Sequence, residues 1–120
     1  MKFRTLGKTG YSISEVSLGT WQLGGKWGTP FDPKDAEEPL AEAYDHGVNF
    51  FDTADGYQDG NSEKTVGKFV QTHPDVHFTT KIGRKEMPLT VDHFNPEHLT
   101  RYVEESLTNM GVDALDMVLL

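Results

Sequence analysis

An aspartate, a tyrosine and a lysine lie at or just beyond the ends of apolar segments in this sequence. Asp52 follows Phe50–Phe51, Tyr57 comes five positions later, and Lys81 follows Phe78–Thr80. A free tyrosine, with a pKa near ~10, is a poor acid at neutral pH. A nearby ammonium favours the phenolate, and a carboxylate can hold that ammonium in place. Brought together, the three side chains would let a phenol donate a proton to a carbonyl oxygen while a hydride reaches the carbon.

Each of the three residues also has an ordinary explanation. An aspartate after a strand most often serves as a turn or helix-cap residue, Tyr57 would pack in a loop, and Lys81 would be a solvated strand end. The catalytic hypothesis therefore requires elements that bring separate strand ends to one place.

The first elements predicted are a hairpin and a short strand. Lys2–Leu6 and Tyr11–Ser14 flank Gly7–Gly10, whose two glycines suit a tight connection. Glu15–Gly19 is a candidate strand, and a Gly- and Trp-rich loop follows it to about Phe31.

Three helices and three further strands follow. The first helix opens at Asp32 or Asp35 and ends at Gly47, and Pro39 within it is tolerable only in the first turn. Residues that share apolar helical spacing mark the inner faces of the three helices: Ala36, Leu40, Ala43 and Tyr44; Val66, Phe69 and Val70 after a cap at Asn61 or Ser62; Leu99, Val103, Leu107 and Met110 between the cap Asn95 and Gly111. The strands are predicted at Val48–Phe51, His77–Ile82 and Asp113–Leu120.

This order predicts an α/β fold. A hairpin followed by β-α-β-α-β-α-β implies parallel strands joined by helical crossovers. In such folds the active site lies at the carboxyl ends of the strands, where Asp52, Tyr57 and Lys81 would meet. Periodicity alone leaves an open sheet and a closed barrel as alternatives.

Composition excludes several function classes. The 120 residues carry a formal net charge of −8, which gives no electrostatic basis for binding nucleic acid. The absence of cysteine excludes disulfides and thiolate metal sites, and the uneven spacing of the five histidines gives no metal pattern. The longest apolar run, Met117–Leu120, is far too short to span a membrane, and residues 1–6 lack a secretory signal. We expect a cytoplasmic protein.

Several segments resemble the aldo-keto reductase family. Residues 47–57, GVNFFDTADGY, followed by residues 61–67, NSEKTVG, are similar to its signature. Residues 4–10, RTLGKTG, and 18–21, LGTW, resemble its N-terminal region, and residues 79–81, TTK, resemble its third strand. The resemblance covers essentially the whole chain, in the family's order.

The resemblance implies the first half of a (β/α)8 TIM barrel, with residues 1–120 supplying roughly four βα units of a domain that reduces aldehydes or ketones. NADP(H) is the expected cofactor, with NAD as an alternative. Tyr57 would be the general acid, Lys81 would make that phenol a stronger acid, and Asp52 would orient Lys81. Gly19, Thr20 and Trp21, together with Asp52, would lie beside the nicotinamide, and no metal is expected. Trp21 would wall the substrate pocket, and Trp27 is a further candidate for that pocket.

The sequence departs from the family at its last strand. The family's catalytic histidine would come directly after Leu120, and none of the five histidines present matches it. We therefore expect a truncated product or a partial record, and an isolated 120-residue chain without reductase activity.

Two further functions remain open alongside the reductase. Potassium-channel β subunits share the fold and much of the motif, which allows a non-catalytic, nucleotide-sensing subunit. A half-barrel that self-associates as an interaction module is the other alternative. The expected partner of the reductase is a small carbonyl compound.

Overall fold

The computed structural model describes residues 1–25 and 28–120, beginning with the predicted hairpin. Strands β1 (Phe3–Thr5) and β2 (Ser12–Ser14) pair antiparallel. Gly7 and Gly10 in the connection have φ angles of +51° and +81°, in the left-handed region that favours glycine. The hairpin prediction is confirmed.

A four-stranded parallel sheet follows, with its strands in chain order. Helices cross over between successive strands, so the predicted α/β class is confirmed and the arrangement is that of the first part of a (β/α) barrel. The elements are β3 (Leu18–Gly19), α1 (Pro33–Asp45), β4 (Phe50–Asp52), α2 (Asn61–Val70), β5 (His77–Lys81), α3 (Pro96–Met110) and β6 (Val118–Leu119).

The two outer strands of this sheet are shorter than predicted. Two residues each form β3 and β6, where the sequence predicts Glu15–Gly19 and Asp113–Leu120. At β6 the reason is visible in the hydrogen bonds, because the Asp116 carboxylate accepts the Phe78 backbone N–H at 3.2 Å. A side chain thus replaces the backbone carbonyl that would extend the ladder.

The core lies between the sheet and the helices. Phe51 and Phe78, paired across β4 and β5, are buried with Leu40, Val66 and Met110 in one apolar cluster. Because strand side chains alternate, Asp52 and Lys81 project from the opposite face of the sheet. The core thereby fixes the direction in which the charged side chains point.

Pro39 corrects the prediction for α1. Asp32 caps this helix as expected, accepting from the Lys34 N–H at 2.8 Å, but Pro39 lies in the second turn and not the first. The helix tolerates it because Pro39 and Asp35, one turn earlier, are both on the exposed side. Water can reach the carbonyl that proline leaves without a donor.

The start of α2 also differs from the prediction. Its N-cap is Gly60 in the left-handed region, at φ +84°, and Asn61 is already the first helical residue. Helix α3 begins and ends as predicted: Asn95 accepts the His98 N–H at 3.0 Å, and Gly111 closes the helix at φ +65°. Helix α2 therefore begins without a side-chain cap, because Gly60 and not a polar residue occupies the N-cap position.

Candidate active site

The structure brings Asp52, Tyr57 and Lys81 together at the carboxyl edge of the sheet. The Lys81 ammonium donates hydrogen bonds to the Asp52 carboxylate and, at 3.1 Å, to the Thr53 carbonyl. Its nitrogen lies 5.1 Å from the centroid of the Tyr57 ring, within cation–π range. A carboxylate, an ammonium and a phenol thus form one contiguous group.

Strand register explains the meeting of these side chains. Gly19, Asp52 and Thr79 occupy one row across β3, β4 and β5, and Lys81 lies two residues beyond that row. The two-residue side-chain period puts Asp52 and Lys81 on the same face, one strand apart. In the same row, the Thr79 hydroxyl is buried without a hydrogen-bond partner among the described residues.

Tyr57 is carried on an unusual turn. It opens a 3₁₀ turn that ends at Gly60, and its backbone N–H donates to the Ala54 carbonyl at 3.2 Å. The next two residues, Gln58 and Asp59, have φ angles of 51° and 54°. Left-handed backbone at consecutive non-glycine residues is uncommon and is found most often at functional sites. Asp59 is of a residue type that tolerates this region, but the residue type of Gln58 does not predict it.

Three buried hydroxyls hold the backbone behind this group. The Thr20 N–H and hydroxyl both donate to the Asp52 carbonyl, at 2.9 and 2.8 Å. The Ser62 hydroxyl donates to the Thr20 hydroxyl at 2.7 Å, and the Thr53 hydroxyl lies 2.9 Å from the Ser62 hydroxyl. This network ties β3 and β4 to the start of α2. The sequence analysis considered Ser62 only as a helix cap and did not single out Thr53, since a small hydroxyl residue next to a strand end or helix start is the only signal of this network.

The three residues after β3 begins, Gly19, Thr20 and Trp21, differ in how far their side-chain positions are exposed. A Cβ on Gly19 would meet nothing within 4 Å, and the Trp21 side chain is 54% exposed. Thr20 is fully buried, and its hydroxyl is engaged with the backbone. A Cβ on Gly19, which pairs with Asp52, would therefore enter open space, whereas the Thr20 side chain is enclosed. Trp27, the other pocket candidate, lies outside the described residues.

A charged cleft of about 790 Å³ lies between the Tyr57–Gly60 turn, the segment after β5 and α3. Arg101 bonds the Glu86 carboxylate at 2.9 Å, and the Tyr102 hydroxyl donates to it at 2.9 Å. The Arg101 hydrogen bond, followed by that from Tyr102, lowers the pKa of Glu86 to about 2. These contacts fasten the segment after β5 to α3, at a distance from Lys81, which does not line the cleft.

Two histidines near the amino end of β5 have structural contacts. His77 stacks on Tyr11, with ring centroids 4.0 Å apart, and contacts Asp116 at 3.2 Å at the amino end of the sheet, opposite Lys81. His73 stacks on Phe69 at 3.9 Å. Within residues 1–25 and 28–120, no three His, Cys, Asp or Glu side chains are grouped to hold a metal. The helices of the same residues are all too short or too polar to cross a bilayer.

Comparison with known proteins points to one family. The model of the aldo/keto reductase family matches residues 15–120. The NADH-specific methylglyoxal reductase of Escherichia coli is 30% identical over 98% of this chain and 40% of its own. A probable voltage-gated potassium channel subunit beta of Arabidopsis thaliana is 30% identical over 98% of this chain and 36% of its own.

A solved structure shares the fold. An aldo-keto reductase from Klebsiella pneumoniae, in complex with NADPH, superposes with a TM-score of 0.74 at 28% identity. The match covers 99% of this chain and 38% of that one. The chain thus spans 36–40% of the length of the two curated relatives.

Proposed function

The chain belongs to the aldo/keto reductase family, and on that premise we propose that it carries the proton-donating group of a carbonyl reductase. The observation that supports this proposal is the contact of Lys81 with both the Asp52 carboxylate and the Tyr57 ring. Residues 1–120 would supply the first three βα units and the fourth strand of the barrel, with the site at the carboxyl ends of its strands.

In this mechanism Tyr57 is the general acid. Its hydroxyl gives a proton to the carbonyl oxygen of an aldehyde or ketone, and the product is an alcohol. The Lys81 ammonium stabilises the negative charge left on the phenol oxygen, because opposite charges attract strongly in a partly buried site. Asp52 and the Thr53 carbonyl hold the ammonium in place, so the charge needs no reorganisation during the reaction.

The residues at the strand ends fit a nicotinamide cofactor. Gly19, which pairs with Asp52 across β3 and β4, leaves open space for a Cβ, and the Trp21 side chain two residues later is exposed. Gly19, Trp21 and Asp52 would hold the ring, and Thr20 would act through its bond to the Asp52 backbone. A reduced nicotinamide held there would supply the hydride for the carbonyl carbon. NADP(H) is the cofactor we propose, with NAD(H) as the alternative that the Escherichia coli relative's name raises.

A nucleotide-sensing subunit is the second candidate function. The potassium-channel relative from Arabidopsis is as similar to this chain as the methylglyoxal reductase is, at 30% identity in both cases. The Asp52, Tyr57 and Lys81 group is compatible with either function. The cysteine-free and acidic composition of residues 1–120 fits a cytoplasmic location for both.

Turnover and cofactor retention separate these two functions. The protein at its full native length is incubated with NADPH or NADH and a panel of small aldehydes and ketones, and oxidation of the cofactor is followed by absorbance. Multiple turnovers on at least one carbonyl compound support the reductase. Retention of nucleotide through gel filtration, with no turnover on any compound, would instead favour the sensing subunit.

A further inference from the structure

The buried Asp55 carboxylate lies between the segment after β4, which carries Tyr57, and the segment that follows Lys81 at the end of β5. Asp55 is 5% exposed and stands two residues before Tyr57. Its Oδ2 accepts a hydrogen bond from the Gly83 backbone N–H at 3.2 Å, and Gly83 stands two residues after Lys81. One side chain therefore links the segment after β4 to the segment after β5.

The backbone around Asp55 continues the pairing of the two strands. The Asp55 N–H donates to the Lys81 carbonyl at 2.9 Å, beyond the last register pair of the β4–β5 ladder. The chain turns at Gly83, which has φ +94°, and the Gly83 N–H donates to the Asp55 side chain and not to a backbone carbonyl. Gly83 is buried, and an unpaired buried N–H is costly. The Asp55 side chain supplies the acceptor that the turn removes.

The surroundings of Asp55 suit an acceptor of hydrogen bonds more than an ion-pair partner. Burial raises the pKa of its carboxyl, the Gly83 N–H opposes that shift, and the nearby Glu63 carboxylate adds to it. Lys85 and the Gly56 N–H lower the same pKa more weakly. Since the direct partner is a neutral amide, the uncharged oxygen of an asparagine side chain can replace the carboxylate.

We propose that Asp55 is a positioning residue that keeps the Tyr57 phenol beside Lys81 by clamping the segment after β4 to the segment after β5. The inference rests on the proposed reductase function. It also accounts for the left-handed residues Gln58 and Asp59, since backbone strain of this kind persists only where the surroundings over-determine it. Without the clamp, the turn that follows Tyr57 is free to relax.

Steady-state kinetics of the full-length protein test the clamp. Asp55→Ala is expected to lower kcat about 10-fold or more with little change in KM, because a small misplacement of a catalytic group is costly. Weaker contact between Lys81 and the phenol also moves the alkaline limb of the kcat–pH profile to higher pH. Asp55→Asn should retain most of kcat and the wild-type profile, as should Glu104→Ala, an exposed acid on α3.

The outcomes against the clamp are specific. A kcat and pH profile of Asp55→Ala equal to those of the wild type would overturn it, and so would an Asp55→Asn variant as impaired as Asp55→Ala. If Asp55→Ala does not fold, amide hydrogen exchange in the unaltered protein tests whether Asp55 holds the Gly83 N–H. The Gly83 N–H should be protected, and exchange at the rate of an exposed amide contradicts the clamp. An unaltered protein that reduces no carbonyl compound refutes the proposed function. The exchange rate of the Gly83 amide still tests the clamp in that case, because it does not depend on activity.

Discussion

Replacing Gly67 by alanine tests how tightly α2 packs against α3. Gly67 lies inside α2, where alanine is favoured over glycine by about 1 kcal/mol. Helix propensity alone thus predicts that Gly67→Ala stabilises the protein. The structure predicts the opposite, because a Cβ at this position would lie 2.5 Å from the carbonyl carbon of Met110 and closer still to its oxygen.

The penalty follows from what the added methyl displaces. Ordinary contact begins near 3.4 Å, so the two helices must separate by about 1 Å. The Met110 carbonyl also accepts the Gln71 side-chain N–H at 3.0 Å, a bond worth about 1 kcal/mol that the shift strains. Overpacking a rigid contact costs ~1–3 kcal/mol. Together these exceed the propensity gain, and we expect a net loss of about 2 kcal/mol in the free energy of unfolding.

Urea unfolding of the full-length protein measures this loss. With an m-value of ~1–3 kcal/mol/M, the midpoint should fall by roughly 1 M. Gly56→Ala is the matched control, since Gly56 has φ −89° and its added Cβ would lie 3.8 Å from Lys85. It should unfold within about 0.5 kcal/mol of the wild type. A Gly67→Ala variant as stable as the wild type, or more stable, refutes the reasoning.

Three other predictions concern the charged side chains Lys81 and Glu86 and the activity of residues 1–120 alone. Lys81→Met removes the ammonium beside Tyr57 and should lower kcat about 10²-fold or more, with retained melting behaviour as the folding control and undiminished turnover as the contrary result. The folded pKa of Glu86 is about 2 against an ordinary 4.5, so its carboxylate contributes stability above about pH 4.5 that is lost as the pH falls through about 2. Glu86→Gln should therefore lower the melting temperature at pH 7, with a difference that shrinks toward pH 3; a difference that grows on acidification contradicts this account. Residues 1–120 purified alone should show no carbonyl turnover, since four strands do not close a barrel, and Tyr57-dependent reduction by that segment would be the opposing result.

Local signals were sufficient for the order of elements and for the helix ends that depend on polar caps. Asp32 and Asn95 each accept a backbone N–H at the start of a helix, as their residue types predict. The α2 start was mispredicted because Gly60, in a left-handed conformation, depends on the strained turn before it. That turn is set by contacts distant in sequence, which periodicity does not contain.

The same limit applies to the site. The order of parallel strands was enough to expect Asp52, Tyr57 and Lys81 at one edge of the sheet, whereas the register that puts Asp52 and Lys81 on the same face is seen only in the structure. The roles of Thr53 and Ser62 depend on how closely β3 approaches α2, and the link from Asp55 to Gly83 depends on where the chain turns after β5. Tyr102 on α3 is fully buried but was absent from the predicted apolar face of that helix. Its burial depends on the segment after β5, where the Glu86 carboxylate accepts a hydrogen bond from its hydroxyl.

The most direct test of the account is the turnover of Tyr57→Phe in the full-length protein. The substitution removes one hydroxyl and leaves the ring that contacts Lys81. We predict that kcat for carbonyl reduction falls by about 10²–10⁴-fold, while the affinity for nicotinamide cofactor, measured by fluorescence titration, stays close to that of the wild type. Unchanged turnover in Tyr57→Phe would contradict the assignment of this phenol as the proton donor.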